Sequence, residues 1–404
     1  MKYFVLGAFS SAIFVYGIAL TYGATGSTNL GEIAAFLADN VLVHNGVLLA
    51  GMGLMLVGFC FKIAAVPFHF WTPDVYQGAP TPATGFMAAI AKAGAFAALL
   101  RVFVSSFPTL RDDWQPIVWV IAVLSLCLGA FVAIVQRDVK RMLAYSSINH
   151  AGFILLGLQA ASTRGIAGSL YYVFTYALMV LGSFAVVALV GRRGDDSHSI
   201  DTYRGLARRQ PALAVTFAVL LLAQAGSPFT TGFLAKLYVI EAAVSAHSYA
   251  LAVIAMVSAA AAAYFYLRVV FAMFGTAEAP EEAAAQAAYQ AEAPPGGVRV
   301  APAQQMAAAV AVAPVALAQA TGGAAVGGGV AVMAPVEGVE GVEAVAAAVG
   351  DRRGTDDLGP TPLARLGVSP WVATALLCTT GATILFGCWP QPLTDFAHQA
   401  TLIF

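Results

Sequence analysis

The sequence predicts an all-α polytopic membrane protein with about nine transmembrane helices. Three observations predict it. Only 10% of the 404 residues are charged, against roughly 25% in an ordinary soluble domain. The hydrophobic fraction is 60% and the mean hydropathy is +0.79. The apolar residues fall in long runs, without the period-two alternation of membrane barrel strands. So little charge cannot cover the surface of a soluble protein of this size, which excludes a cytosolic globular enzyme and a disordered protein. A net charge of −1 with no basic patch excludes a nucleic-acid partner.

A span needs about 20 mostly apolar residues. Nine stretches qualify: 2–23, 44–66, 82–105, 115–135, 141–160, 165–191, 211–246, 248–274 and 369–389. Lipid offers the backbone no hydrogen-bond partners, so each stretch is predicted as a helix. Residues 1–276 thus form a helix bundle, and 367–404 carry the last span and a tail. Between them, residues 277–366 are Ala, Gly, Val and Pro with a single aromatic, Tyr289. Pro302, Pro314, Pro335 and the run "TGGAAVGGG" predict a disordered, low-complexity cytoplasmic linker and not a tenth span.

The loops predict the orientation. With Met1 on side A, the side-A loops carry Arg137, Lys140, Arg141, Arg192, Arg193, Arg204, Arg208 and Arg209, and side B carries Arg101, Arg111 and Arg164. The positive-inside rule makes side A cytoplasmic, with the C-terminus outside after nine spans. Cys60, Cys127, Cys378 and Cys388 stand singly in apolar segments and read as small buried hydrophobes, with no metal-ligand spacing.

Two spans are interrupted. The second runs "FKIAAVPFHFWTPDVYQGAPTP", with Pro67 and Pro73 near its end. The seventh runs "LLAQAGSPFTTGFLAKLYVIEAAV", with Gly226, Pro228 and Gly232 in its middle. Proline removes a backbone donor and clashes with the preceding turn, so both are predicted to be discontinuous helices. They lie five spans apart and cross in opposite senses, the pattern of an inverted-repeat transporter fold.

Lysine is scarce and oddly placed. Of five lysines, Lys62 and Lys236 flank the two breaks and Lys92 lies mid-span in "FMAAIAKAGAFAALL". A lysine at a helix centre costs about 2.5–3.5 kcal/mol on insertion. Snorkelling to the interface accounts for Lys2 and is an alternative for Lys62, but roughly ten apolar residues on either side of Lys92 exceed the reach of its stem. Arginine stays protonated, whereas a desolvated lysine can release its proton. Buried lysines beside broken helices therefore suggest a proton relay. His150 shares a helix face with Ser146 and Ser147 and either extends that relay or is a hydrogen-bonded structural histidine. His69 and Asp74 flank the first break as candidate caps. Glu241 lies about 140° around the helix from Lys236, so the two do not pair within it. No nucleotide, flavin, metal or iron–sulfur motif is present, so redox chemistry linked to the chain belongs to a partner.

The segment "FKIAAVPFHFWTPDVYQGAPTPATGFMAAIAKAGAFAALLR" resembles the signature of the N-type, antiporter-like membrane subunits of proton-translocating NADH-quinone oxidoreductase, respiratory complex I. "QRDVKRMLAYSSINHAGFILLGL", "LLAQAGSPFTTGFLAKLYVIEAAV" and "KYFVLGAFSSAIFVYGIALTYGATGS" are similar to that family in order and spacing, over about 1–275 and 367–390. The resemblance implies an antiporter-like fold and a proton pathway through Lys62, Lys92 and Lys236, with Lys2 at the cytoplasmic entry. It implies that the chain carries no cofactor, and that NADH, FMN, iron–sulfur clusters and quinone sit on partner subunits of the complex. It implies a bacterial inner-membrane location beside other membrane-arm subunits, including neighbouring antiporter-like ones. The chain begins at the family's sixth helix, so the first five, with the glutamate that partners the Lys62 position, are not in it. Two further readings stand beside this one: a cation/proton antiporter subunit, and a truncated chain that fills the membrane arm without conducting.

Overall fold

The computed structural model describes residues 1–40, 45–191, 198–275 and 370–401. The linker assigned to 277–366, and Arg192 and Arg193 among the loop arginines, lie outside the described residues. The described chain is helical, with no strand among the described residues and one isolated antiparallel bridge between Asp138 and Ser199.

The first helix, α1 (Lys2–Thr25), packs along α3 (Gly46–Ile63), joined to it through the short α2 (Leu30–Asp39). Asn29 caps α2 by accepting from the backbone N–H of Gly31 and Glu32. Helix α3 stops four residues before Pro67, with Ala64 in the left-handed region at φ 60°. The chain resumes as α4 (Trp71–Gly78). The orphaned carbonyls at this break are taken locally: Ala65 N–H donates to Cys60 O at 2.8 Å, and the Trp71 indole donates to Phe61 O at 2.9 Å. Ser125, from a neighbouring helix, accepts the Val66 N–H at 3.0 Å.

Next come α5 (Thr81–Phe86), a π-helical turn (Met87–Ala91) and α6 (Lys92–Ser106). The predicted span 82–105 is therefore helical throughout but not uniformly α. The π-turn adds a residue to one turn just before Lys92 and changes the direction in which the following residues point.

Helices α7 (Arg111–Val135), α8 (Val139–Ala160) and α9 (Thr163–Val190) follow as long antiparallel neighbours. Past the short α10 (Leu206–Arg209) lie α11 (Pro211–Ala225), α12 (Thr231–Ser245) and α13 (Tyr249–Phe274). The last described helices are α14 (Pro370–Cys388) and α15 (Gln391–Ala400).

Seven described helices are long and apolar enough to cross a membrane. The two remaining predicted spans differ for a physical reason. The span at 141–160 is α8, whose Ser146, Ser147, Asn149 and His150 lower its hydropathy. The span at 211–246 is the pair α11 and α12, each 15 residues and too short to cross alone. The chain is thus a multi-pass membrane protein with two discontinuous helices.

Helix α8 lies at the centre. It packs against α4, α7, α9 and α12 and is buried along nearly its whole length. Polar contacts fix its rotation: Asn149 Nδ2 donates to Leu126 O on α7 at 2.9 Å and to Ser258 Oγ on α13 at 2.5 Å. Where lipid removes the hydrophobic drive between helices, such bonds set which face turns inward.

Candidate functional site

The inward face of α8 carries the polar residues of the site. His150 is fully enclosed and uses both ring nitrogens. Nδ1 lies 2.8 Å from the Tyr172 hydroxyl on α9, and Nε2 lies 3.0 Å from the Tyr266 hydroxyl on α13. Tyr266 also hydrogen-bonds the Ser146 hydroxyl and donates to Gln224 Oε1 on α11 at 3.4 Å. Gln224 Nε2 donates to Ser183 Oγ on α9 at 2.7 Å. Four helices thus converge on one buried polar cluster.

The second break supplies one end of it. Helix α11 terminates because Gly226 adopts φ +94°, a conformation that a side chain would strain, and Pro228 follows two residues later. Its last four carbonyls need partners. Leu222 O accepts from Gly226 and Ser227, and Ala223 O accepts from Gly226. The other two are taken by Lys236, whose Nζ donates to Gln224 O at 3.0 Å and Ala225 O at 2.7 Å. An ammonium at a helix C-terminus is where the helix dipole favours a cation. The same Nζ sits 5.1 Å over the Phe153 ring of α8.

Lys92 supplies the other end. It is buried at the N-terminus of α6, and its Nζ donates to Ser147 O at 2.9 Å and hydrogen-bonds Ser147 Oγ. Along α8 the two buried lysines flank His150, Lys92 at Ser147 three residues before it and Lys236 over Phe153 three residues after it. Tyr176 packs its ring 4.8 Å from that of His150.

The structure brings Lys92, Lys236 and His150 together and leaves Lys62 and Lys2 apart from them. Lys62 is exposed, with Nζ 5.6 Å over the Tyr3 ring. Lys2 pairs with Asp74, which also accepts from Arg141 at 3.1 Å. Asp74, expected as a cap, is thus shared between two cations. Glu241 faces Arg164 on α9 at 3.7 Å and not Lys236. Lys140, read as a loop charge, is buried in the first turn of α8, where its Nζ donates to Ala79 O at 2.7 Å.

Sequence reasoning missed Tyr172, Tyr266 and Gln224. Gln224 carried a usable signal, a polar amide two residues before the glycine of a broken apolar helix. Tyr172 and Tyr266 carried none, because a tyrosine in a span reads equally as an interface residue. Among the described residues, no group of three or more His, Cys, Asp and Glu side chains is placed to hold a metal ion.

Residues 1–261 match the family model described as NADH:quinone oxidoreductase/Mrp antiporter, transmembrane. NADH-quinone oxidoreductase subunit N of Trichlorobacter lovleyi is 48% identical over 254 residues, which is 63% of this chain and 52% of that protein. The Mycobacterium tuberculosis protein of the same name is 48% identical over 258 residues, 63% of this chain and 48% of its own. The chain spans about half the length of these curated relatives. A chain of respiratory complex I from Thermus thermophilus with bound aureothin superposes with a TM-score of 0.66 at 30% identity, over 98% of this chain and 67% of that one. The Mrp complex from Dietzia sp. DQ12-45-1b shares the fold, with a TM-score of 0.71 at 21% identity over 99% of this chain and 66% of the other. With the family match covering well over half of its length, the chain belongs to the NADH:quinone oxidoreductase/Mrp antiporter transmembrane family.

Proposed function

We propose that the chain is a proton-translocating membrane subunit of a bacterial NADH-quinone oxidoreductase, moving protons through Lys92, His150 and Lys236. One observation carries the reading: two buried lysines donate to groups that border a polar cluster centred on His150, Lys92 to Ser147 and Lys236 to the backbone oxygen of Gln224, whose side chain belongs to the cluster. Such charges are costly in a membrane and are kept where they serve transport. His150 is the titratable imidazole between them, and a ring with both nitrogens on hydroxyls can accept a proton at one and release one at the other.

In this reading the chain holds no redox centre. NADH, FMN, iron–sulfur clusters and quinone belong to partner subunits, and the neighbours are other membrane-arm subunits, antiporter-like ones among them. Lys62 and Lys2 form the entry side, with Met1 cytoplasmic and the C-terminus outside. Gly226 and Pro228 hold the break that exposes the end of α11 to Lys236, and Pro67 holds the first break beside Lys62.

The test uses the assembled enzyme in membrane vesicles. Lys92→Ala or Lys236→Ala is expected to cut redox-driven proton uptake roughly 10²-fold, with NADH oxidation by the peripheral subunits retained. Undiminished uptake overturns the assignment.

A cation/proton antiporter is the second reading, favoured by the Mrp antiporter in the matching family's description. Sodium-dependent proton exchange in vesicles lacking redox subunits supports it over the first.

A further inference from the structure

We propose that a cavity of about 540 Å³ at one end of the bundle binds the phosphate group of an anionic phospholipid. The cavity lies between the C-terminus of α7, the segment 198–205 and the last turns of α13. Among the described residues, Arg137, Arg204 and Arg268 line it with one carboxylate, Asp201. The described lining is therefore two positive charges in excess, which suits an anion.

The walls hold those arginines in place. Ile200 N–H donates to Arg137 O at 2.9 Å, Val139 N–H to His198 O at 2.8 Å, and Gly205 N–H to Ala272 O at 3.2 Å. The Arg268 guanidinium is locked onto α7 by donation to Ile134 O at 2.6 Å and to Gln136 O. Its Nε–H is buried and unpartnered. Arg204 donates from Nε to Asp201 at 2.8 Å. Arg137 is exposed and has no side-chain partner among the described residues. Arg137 and Arg204 are the exposed arginines of the lining, and their guanidinium N–H groups can turn to phosphate oxygens.

The position selects the source of the phosphate. Helices α7 and α13 are both of span length and apolar, and both end at this cavity, so it lies where headgroups lie. Phe271, 70% exposed, lines it on the outside and offers an apolar wall beside the charges. Basic pockets between transmembrane helices at this level bind lipid headgroups through their phosphates, and the planar arginine fork matches phosphate oxygens. Inorganic phosphate carries the same chemistry without the apolar part. The inference does not rest on the transport reading.

The test uses the full chain, purified in detergent and freed of lipid. Phosphatidylglycerol, phosphatidylcholine and sodium phosphate are the probes, with binding read by native mass spectrometry and titration. Phosphatidylglycerol is expected to bind one per chain, and the Arg137→Gln/Arg204→Gln variant to bind it about tenfold more weakly or worse. Arg164→Gln, at the other end of the bundle, is expected to leave binding unchanged. Arg268 is kept because it closes α7. Should the double variant fail to fold, Arg137→Gln alone, which breaks no side-chain hydrogen bond among the described residues, is expected to weaken binding several-fold. Equal affinity in wild type and variant, or equal affinity for phosphatidylcholine, overturns the proposal. Displacement of phosphatidylglycerol by millimolar sodium phosphate overturns the lipid source and assigns the site to the free anion.

Discussion

Lys236 closes the helix that ends eleven residues before it: its ammonium donates to Ala225 O at 2.7 Å and to Gln224 O at 3.0 Å. The lysine is therefore at once the C-terminal cap of α11 and a candidate proton carrier. Substitutions can separate these roles. Lys236→Ala leaves one buried and one half-buried carbonyl without this donor and is expected to cost about 1–3 kcal/mol in thermal unfolding. Lys236→Arg keeps a donor for those carbonyls and is expected to hold stability within about 1 kcal/mol, yet to abolish transport, because a guanidinium does not release its proton. Transport surviving in the arginine variant would show that titration at this position is not needed.

Among the described residues, His150 is the one hydrogen-bond partner of the Tyr172 hydroxyl and one of three partners of the Tyr266 hydroxyl. His150→Phe is expected to destabilise by about 1–3 kcal/mol through the orphaned Tyr172 hydroxyl. Tyr172→Phe combined with His150→Phe is expected to cost less than the sum of the single changes, with a coupling of about 1 kcal/mol. Additive effects in the double-mutant cycle would mean that the 2.8 Å contact contributes nothing.

Tyr266→Phe tests the polar cluster around His150 without removing a titratable lysine or histidine. It breaks the contacts to Ser146, His150 and Gln224 together. Redox-driven proton uptake is expected to fall about tenfold or more, with the assembled complex retained on native gels. Wild-type uptake in this variant would remove Tyr266 from the pathway.

Gly232 marks where α12 meets the end of α11. A Cβ there would sit 1.8 Å from Ala223 O, a backbone atom that cannot yield without moving α11. Gly232→Ala is expected to destabilise by about 3 kcal/mol and to disturb the Lys236 cap. Gly53→Ala, on α3 with no atom within 4 Å of the new Cβ, is expected to stabilise by about 0.5–1 kcal/mol through helix propensity. Thermal unfolding of the two variants side by side gives the comparison.

Much of the architecture was legible along the chain. Nine runs of span length each coincide with a helix or a helix pair, because hydropathy is a local property that lipid reads segment by segment. The breaks were legible for the same kind of reason: Gly226 and Pro228 stand two residues apart and together weaken the helix locally, although Pro116 alone is carried inside α7. The insertion cost of a mid-span charge singled out Lys92 and Lys236 before any contact was known.

The partners of those lysines were decided by tertiary structure. Tyr266 lies 116 residues from His150 and Ser147 lies 55 residues from Lys92, and no spacing rule reaches across such distances. Which face of α8 turns inward depends on how Asn149 engages α7 and α13, and where Lys92 points depends on the π-turn before it. Packing also separated lysines that look alike in sequence, burying Lys140 under Ala79 O and leaving Lys62 exposed. A residue's type sets what a buried site at that position would cost. The rotation of each helix about its axis, set by neighbours far along the chain, decides which of those residues meet.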